Sequence, residues 1–146
     1  MSLKNLLKIG QLIEHYARNT DLRQLLDAAH RAIKDAANEQ ISTETRFDAA
    51  YRAIMQTATA ALWANGYRPS TSVPGHHRTT LQSLSLTLGT ESARVAVLDR
   101  LRHKRNLADY TGEDIDDASL AACIHEARCL IDDVEAWMVR NAQMKN

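Results

Sequence analysis

The segment RHKRNLADYTG, residues 102–112, concentrates side chains that could act on an anion. It opens with four basic residues, Arg102 to Arg105, and continues with Asp109 and Tyr110 before it stops at a glycine. A guanidinium can hold a phosphate through two parallel hydrogen bonds, and an imidazole can transfer a proton near neutral pH. The segment therefore indicates either a phosphate-binding site or the solvated end of a helix, where basic residues offset the helix dipole.

Arg105 occupies a position where a helix would normally place an apolar side chain. In a helix predicted over about 91–109, Leu98 and Leu101 face the core, and Arg105 follows on the same line one turn later. A charge buried without a partner is costly, so this guanidinium must be paired, reach solvent, or line a cleft or an interface. An ion pair with Asp109, four residues further on, is the structural alternative to a functional site.

The elements that must position this segment are all predicted to be helices. With 146 residues, only five glycines and two prolines, the chain is typical of a single all-α domain, an antiparallel bundle of five or six helices. Apolar spacing and turn residues place helices at about 2–17, 21–40, 42–65, 78–88, 91–109 and 116–142, with a loop at 68–77. The clearest stripe lies in the last helix and consists of Leu120, Ile124, Ala127, Ile131, Val134 and Met138.

The net charge argues against an overall attraction to nucleic acid, and the cysteines favour a cytoplasmic location. Eighteen basic and 18 acidic side chains cancel, so any attraction to nucleic acid must come from a local patch. Cys123 and Cys129 are six residues apart on one predicted helix and cannot pair, which favours reduced thiols in the cytoplasm. The N-terminus lacks the apolar run of a signal peptide or a membrane span, so we expect no membrane partner.

The remaining histidines and aromatic residues carry weaker signals. His76 and His77 are adjacent in the predicted loop, with no carboxylate or cysteine nearby to complete a metal site, so we expect no metal or cofactor. For His77 a surface or capping role and a place beside Arg105 both stay open. The aromatic residues are expected to pack in the core and to anchor helix ends rather than to stack on bases, because no basic residues alternate with them in sequence. They are Tyr51, Trp63 and Tyr67.

From about Ser42 onward, the order of these segments resembles the HEPN domain, a helical bundle of prokaryotic toxin–antitoxin and defence systems, and in particular its minimal stand-alone branch. The resemblance is carried by RFDAAYRAIMQTATAALWANGY, by the histidine-containing loop PGHHRTTLQSL, by RNLADY in the penultimate helix, and by a long final helix. It implies a HEPN-like core at 41–146, with 1–40 contributing two added helices within the same domain.

The best-known HEPN proteins are metal-independent ribonucleases that dimerise around a motif of arginine, a polar residue and a histidine. The resemblance implies a homodimer with Arg105 as the motif arginine, Asn106 as its polar neighbour, and Tyr110 in place of the histidine. Further ligand contacts are expected from Arg102, His103, Asp109 and His77. Because tyrosine has a pKa near 10, the site is better suited to binding than to proton transfer.

The resulting hypothesis is a HEPN-like protein that binds RNA or a nucleotide phosphate, with toxin-type ribonuclease activity left open. The alternative is a non-catalytic helical interaction module that pairs with a protein partner, such as a nucleotidyltransferase-like antitoxin.

Overall fold

The computed structural model describes residues 1–145 as a helical bundle with one small antiparallel sheet. The expected all-α bundle is confirmed, and the two short strands are an addition that helical periodicity did not indicate. None of the described helices combines the length and the apolar character that crossing a membrane requires. In chain order the elements are α1 (Leu3–Lys8), β1 (Leu12–Glu14), α2 (Asn19–Ala36), α3 (Thr43–Ala64), β2 (Tyr67–Pro69), α4 (His76–Gln82), α5 (Leu84–Thr87), α6 (Ser92–Thr111) and α7 (Asp117–Lys145).

Helix α3 lies at the centre of the core and packs chiefly against α2 and α7. It begins at Ser42, whose hydroxyl accepts a hydrogen bond from the backbone N–H of Thr45 at 3.1 Å, as the sequence predicts. Its many alanines allow neighbouring helices to approach closely. The predicted stripe is buried throughout: Phe47, Ala50, Ile54, Ala58 and Ala61.

Helix α2 belongs to the same core as α3. Four of its residues are buried in one cluster with residues of α3 and α7: Leu26, Ala29, Ala32 and Ala36. The helix begins at Asn19 and ends at Ala36, where about 21–40 was predicted.

The prediction of a first helix over about 2–17 is wrong. Helix α1 ends at Lys8, and the chain turns at Gly10, whose φ of 80° suits glycine best. It then extends as β1, which pairs antiparallel with β2 in a register that joins Leu12 to Pro69. A strand forms here because β2 offers backbone partners, and periodicity along one segment cannot reveal such a distant partner.

Helices α6 and α7 complete the bundle. Leu98 and Leu101 are the buried residues of α6, so much of this helix borders solvent. It stops at Gly112, which has a φ of 70° and donates its N–H to the carbonyl of Ala108. Helix α4 begins at His76, so both histidines of the predicted loop are helical.

Candidate functional site

A groove of about 640 Å³ runs along one side of α3, within the size range of cavities that hold small ligands. Its walls come from α2, α3, β2, α4 and α6. Helix α3 supplies most of the wall, because a second stripe of its residues, offset from the core stripe, faces this side. The residues of α3 that line the groove are Asp48, Tyr51, Arg52, Met55, Gln56, Thr59 and Trp63.

Arg105 lines the groove from α6. Its guanidinium carbon lies 5.0 Å from the centroid of the Tyr51 ring, within the range of a cation–π contact. Its Nε lies 3.8 Å from Oδ2 of Asp109, and the Arg105 side chain is 33% exposed. An ion pair of this length between partly exposed groups contributes little, so it leaves the guanidinium able to bind an anion.

Tyr51 connects Arg105 to His77. The Tyr51 side chain is buried, and its hydroxyl shares a hydrogen bond of 3.2 Å with Nδ1 of His77. Burial raises the pKa of Tyr51 to about 12, so the phenol stays protonated, although Arg105 and Arg102 oppose the shift. The imidazole of His76 lies against that of His77 with the ring centroids 4.9 Å apart.

The surroundings of His77 favour its neutral form. Burial lowers its pKa most, and the neighbouring His76 and then Arg105 lower it further. In the tautomer in which Nδ1–H donates to the Tyr51 oxygen, Nε2 carries a free lone pair. The arrangement therefore places a neutral imidazole and a guanidinium on the two sides of one tyrosine.

Further polar groups line the same groove. Arg52 and Arg68 join Arg105 along its walls. The pKa of Asp48 is raised, mainly by burial and secondly by the nearby carboxylate of Asp109. Arg105 and Arg52 act in the opposite direction and lower it. The side-chain oxygen Oε1 of Gln56 is buried and has no hydrogen-bond partner in the described part of the chain.

The aromatic residues pack partly as the sequence predicts. Tyr51 is buried in the main core cluster, as expected, and it also lines the groove together with Trp63 and the three arginines at 52, 68 and 105. Tyr67 packs against a small apolar cluster formed by Leu6, Leu12 and Leu62.

Of the predicted site residues, the structure brings Arg105 and His77 together, with Asp109 at the edge. Tyr110 is 90% exposed and is not among the lining residues, because five residues along a helix correspond to a rotation of about 140°. Asn106 is half-buried and also lies outside the lining. The catalytic roles assigned to these two residues stay predictions.

Arg102 and His103 form a separate cluster on α6. Nε of Arg102 donates to Oδ1 of Asp99 at 2.9 Å, and Nη2 of Arg102 lies 3.2 Å from Nε2 of His103. His103 also lies 3.5 Å from the same carboxylate. Neither basic residue is among those that line the groove, and their predicted ligand contacts stay predictions.

Sequence reasoning missed the contribution of α3 to the groove. The signal was present, because Asp48, Arg52, Gln56 and Thr59 recur at helical spacing on a helix whose other side is apolar. A polar stripe on a central helix marks a side that the core does not cover. Arg68 follows the loop after α3, and no local pattern points to it.

Within residues 1–145, no group of three histidine, cysteine or carboxylate side chains is placed to hold a metal ion. A scan of protein-family models finds no match to this chain, and a search of curated proteins also finds none. The geometry of the groove is therefore the basis for any functional assignment.

Proposed function

We propose that this protein binds RNA or a nucleotide, and that Arg105 holds the phosphate. The observation that carries the proposal is the position of this guanidinium, which lies over Tyr51 at the groove with only a long ion pair to Asp109. An arginine that is already neutralised by close carboxylates has little to offer an anion, and the carboxylate paired with Arg105 lies 3.8 Å away. A phosphate could accept two hydrogen bonds from it.

The rest of the groove supports a nucleotide over a bare anion. Trp63 and Met55 offer a base an apolar and aromatic surface, and Arg52 and Arg68 add positive charge for the backbone. Oε1 of Gln56 is buried and has no hydrogen-bond partner among the described residues. If the amide rotated towards the groove, a hydrogen-bond donor on the ligand would satisfy this oxygen.

RNA cleavage is a second candidate function, and the position of His77 favours it. A neutral imidazole could take the proton of a 2′-hydroxyl, whose oxygen would attack the adjacent phosphorus. The bond from phosphorus to the 5′ oxygen would break, and that oxygen would take a proton from solvent. Arg105 would stabilise the charge that develops on the phosphate, as expected of a metal-independent ribonuclease.

The resemblance to HEPN proteins is part of this proposal and supports a homodimer in the cytoplasm. Leu107 is 49% exposed and Tyr110 is 90% exposed on α6, which gives a second copy of the chain an apolar surface to pack against. Cys123 and Cys129 are free, as suits a reducing compartment. A protein partner, such as a nucleotidyltransferase-like antitoxin, could use the same surface.

The proposal is tested by binding of total RNA and of a short labelled oligoribonucleotide at two salt concentrations. We expect Arg105→Ala to weaken binding about tenfold or more, since hydrogen bonds to charged groups contribute about 1.5–3 kcal/mol. Arg105→Lys should restore only part of the affinity, because lysine lacks the planar fork. Arg100→Ala is the matched control: Arg100 is exposed on the same helix, outside the groove, and its loss should change affinity less than about twofold.

Equal losses in Arg105→Ala and Arg100→Ala would contradict the proposal, since binding would then depend on overall charge. The same RNA, incubated with a metal chelator and run on a gel, tests cleavage. Cleavage that is lost in Arg105→Ala and His77→Ala supports a ribonuclease, and binding without cleavage supports a binding protein. If the protein neither binds nor cleaves RNA, the alternative of a non-catalytic interaction module is favoured.

A further inference from the structure

We infer that the groove continues beyond Trp63 into a second compartment that holds a neighbouring base, so that the ligand is an RNA strand of at least two nucleotides. This inference rests on the proposed function, because it assumes that Arg105 binds a phosphate. The second compartment measures about 370 Å³ and is lined by His15, Asp21, Gln24, Leu25 and Trp63.

The two compartments share a wall. Leu25 and Trp63 line both of them, so the two compartments adjoin at these side chains. Trp63 is only partly buried, although tryptophan is among the side chains that gain most from burial. A partly open indole between two cavities is suited to contact bases on both sides.

His15 adds a second aromatic ring at this point. Its imidazole centroid lies 4.6 Å from that of Trp63, and the two ring planes are inclined by 54°. Single-stranded nucleic acids are commonly held by bases that stack on aromatic side chains, histidine included. The pair therefore offers a base a stacking surface that the first compartment alone does not provide.

The charges of the two compartments differ in a way that fits successive nucleotides. Arginines line the first compartment, at 52, 68 and 105, whereas none of the described residues that line the second is an arginine or a lysine. Asp21 is there instead, and the backbone N–H of Arg18, which donates to it at 2.9 Å, lowers its pKa. Nη2 of Arg18 lies 3.6 Å from Oδ1 of Asp21 and partly offsets its charge, but the carboxylate oxygens can still accept a hydrogen bond from the amino group of a base.

The small sheet fixes the two compartments relative to each other. The backbone N–H of His15, which follows β1, donates to the carbonyl of Gly66 at 2.9 Å, just before β2. β2 in turn contributes Arg68 to the first compartment. The N-terminal segment, which lies outside the family resemblance, thus gains a function in the site.

Calorimetric titration with AMP and with the dinucleotide pApA tests the inference. For the wild type we expect pApA to bind about tenfold tighter than AMP, since one further stacked base contributes about 1–3 kcal/mol. His15→Ala should reduce this advantage to about twofold, whereas His15→Phe should retain it because the ring is kept. His125→Ala is the control, since His125 is exposed on α7 and lines neither compartment.

Several outcomes are distinguishable. Arg105-dependent binding of AMP with no further gain for pApA would overturn the second compartment and leave the proposed function standing. A dinucleotide advantage that is unchanged in His15→Ala would overturn it as well. If neither ligand binds the folded wild type, the proposed function itself fails, and this inference fails with it.

Discussion

We expect the hydrogen bond between Tyr51 and His77 to couple the two side chains energetically, and this coupling energy can be measured. It joins the central helix α3 to α4, and it fixes the imidazole beside Arg105. Tyr51→Phe removes the hydroxyl but keeps the ring on which Arg105 stacks. His77→Ala removes the imidazole and leaves the buried hydroxyl without this partner. The double variant removes both, so a double-mutant cycle isolates the pair.

The magnitude follows from the geometry. At 3.2 Å the bond is at the long end of the usual range, and Tyr51 is only 2% exposed, so the hydroxyl cannot turn freely to water. A typical hydrogen bond contributes about 0.5–1.5 kcal/mol net, and leaving a buried group unsatisfied costs about 1–3 kcal/mol. We expect Tyr51→Phe to lower the free energy of unfolding by about 1 kcal/mol and the coupling energy to be about 0.5–1 kcal/mol.

Urea denaturation followed by circular dichroism measures these differences. The experiment is done above the ordinary pKa of histidine, about 6.5, so that His77 is neutral in the unfolded chain as well. With a denaturant dependence of about 1–3 kcal/mol per molar urea, a loss of 1 kcal/mol moves the midpoint by roughly 0.3–1 M. The oligonucleotide titration is repeated on Tyr51→Phe, and phosphate affinity should change less than about twofold, because the ring under Arg105 remains.

Additive losses would refute this reasoning. If the double variant costs the sum of the two single variants within about 0.3 kcal/mol, the two side chains are independent. The hydroxyl of Tyr51 would then not hold the imidazole of His77 in place.

Two further predictions concern pH and Arg94, the first arginine of α6. Since burial lowers the pKa of His77 in the folded protein, its contribution to stability is full above about pH 6.5, the pKa of the unfolded residue, and is lost as the pH falls through the folded value. His77→Gln should therefore lose less stability than the wild type between about pH 7.5 and about pH 5.5, and parallel losses in thermal unfolding would contradict this. Arg94→Met should lower the free energy of unfolding by about 1–3 kcal/mol, because the Glu126 carboxylate, 13% exposed, loses its partner, and an unchanged urea midpoint would disprove it.

Helices with a strong local signal could be predicted from the sequence. The Ser42 cap, the stripe from Phe47 to Ala61 and the final stripe of α7 all depend on contacts within a few residues, or on one side of a helix being apolar. The apolar residues in these segments recur at helical spacing, so the helix can be predicted without knowing which helix packs against it.

The site could be predicted only in part, because its residues meet through tertiary contacts. Arg105 is conspicuous in sequence because it interrupts a stripe. Tyr51 and Arg68 are not, since each looks like an ordinary aromatic or surface residue until the chain is folded, and His77 was expected near Arg105 only through the family resemblance. The strand at Leu12–Glu14 was missed for the same reason: its hydrogen bonds go to residues more than 50 positions away.

The two arginines of the α6 stripe show why sequence pattern alone stops short of function. Arg94 and Arg105 both lie on the line that passes through Leu98 and Leu101, and the pattern treats them alike. Arg94 donates to Glu126 at 3.1 Å and to Asp133 at 2.7 Å, two carboxylates of α7, and these bonds raise its pKa against the effect of burial. Two carboxylates thus neutralise its charge, and although its Nη2 is buried without a hydrogen-bond partner among the described residues, we assign Arg94 a structural role.

Arg105 meets no such pair. It contacts the ring of Tyr51, and its ion pair with Asp109 is 3.8 Å long. A cation in contact with an aromatic ring remains a cation, and its N–H groups still require acceptors. Water supplies these in the free protein, and a phosphate in the groove would supply them with opposite charge. The number of carboxylates that surround each guanidinium thus distinguishes the arginine that stabilises the bundle from the one that we propose binds the ligand.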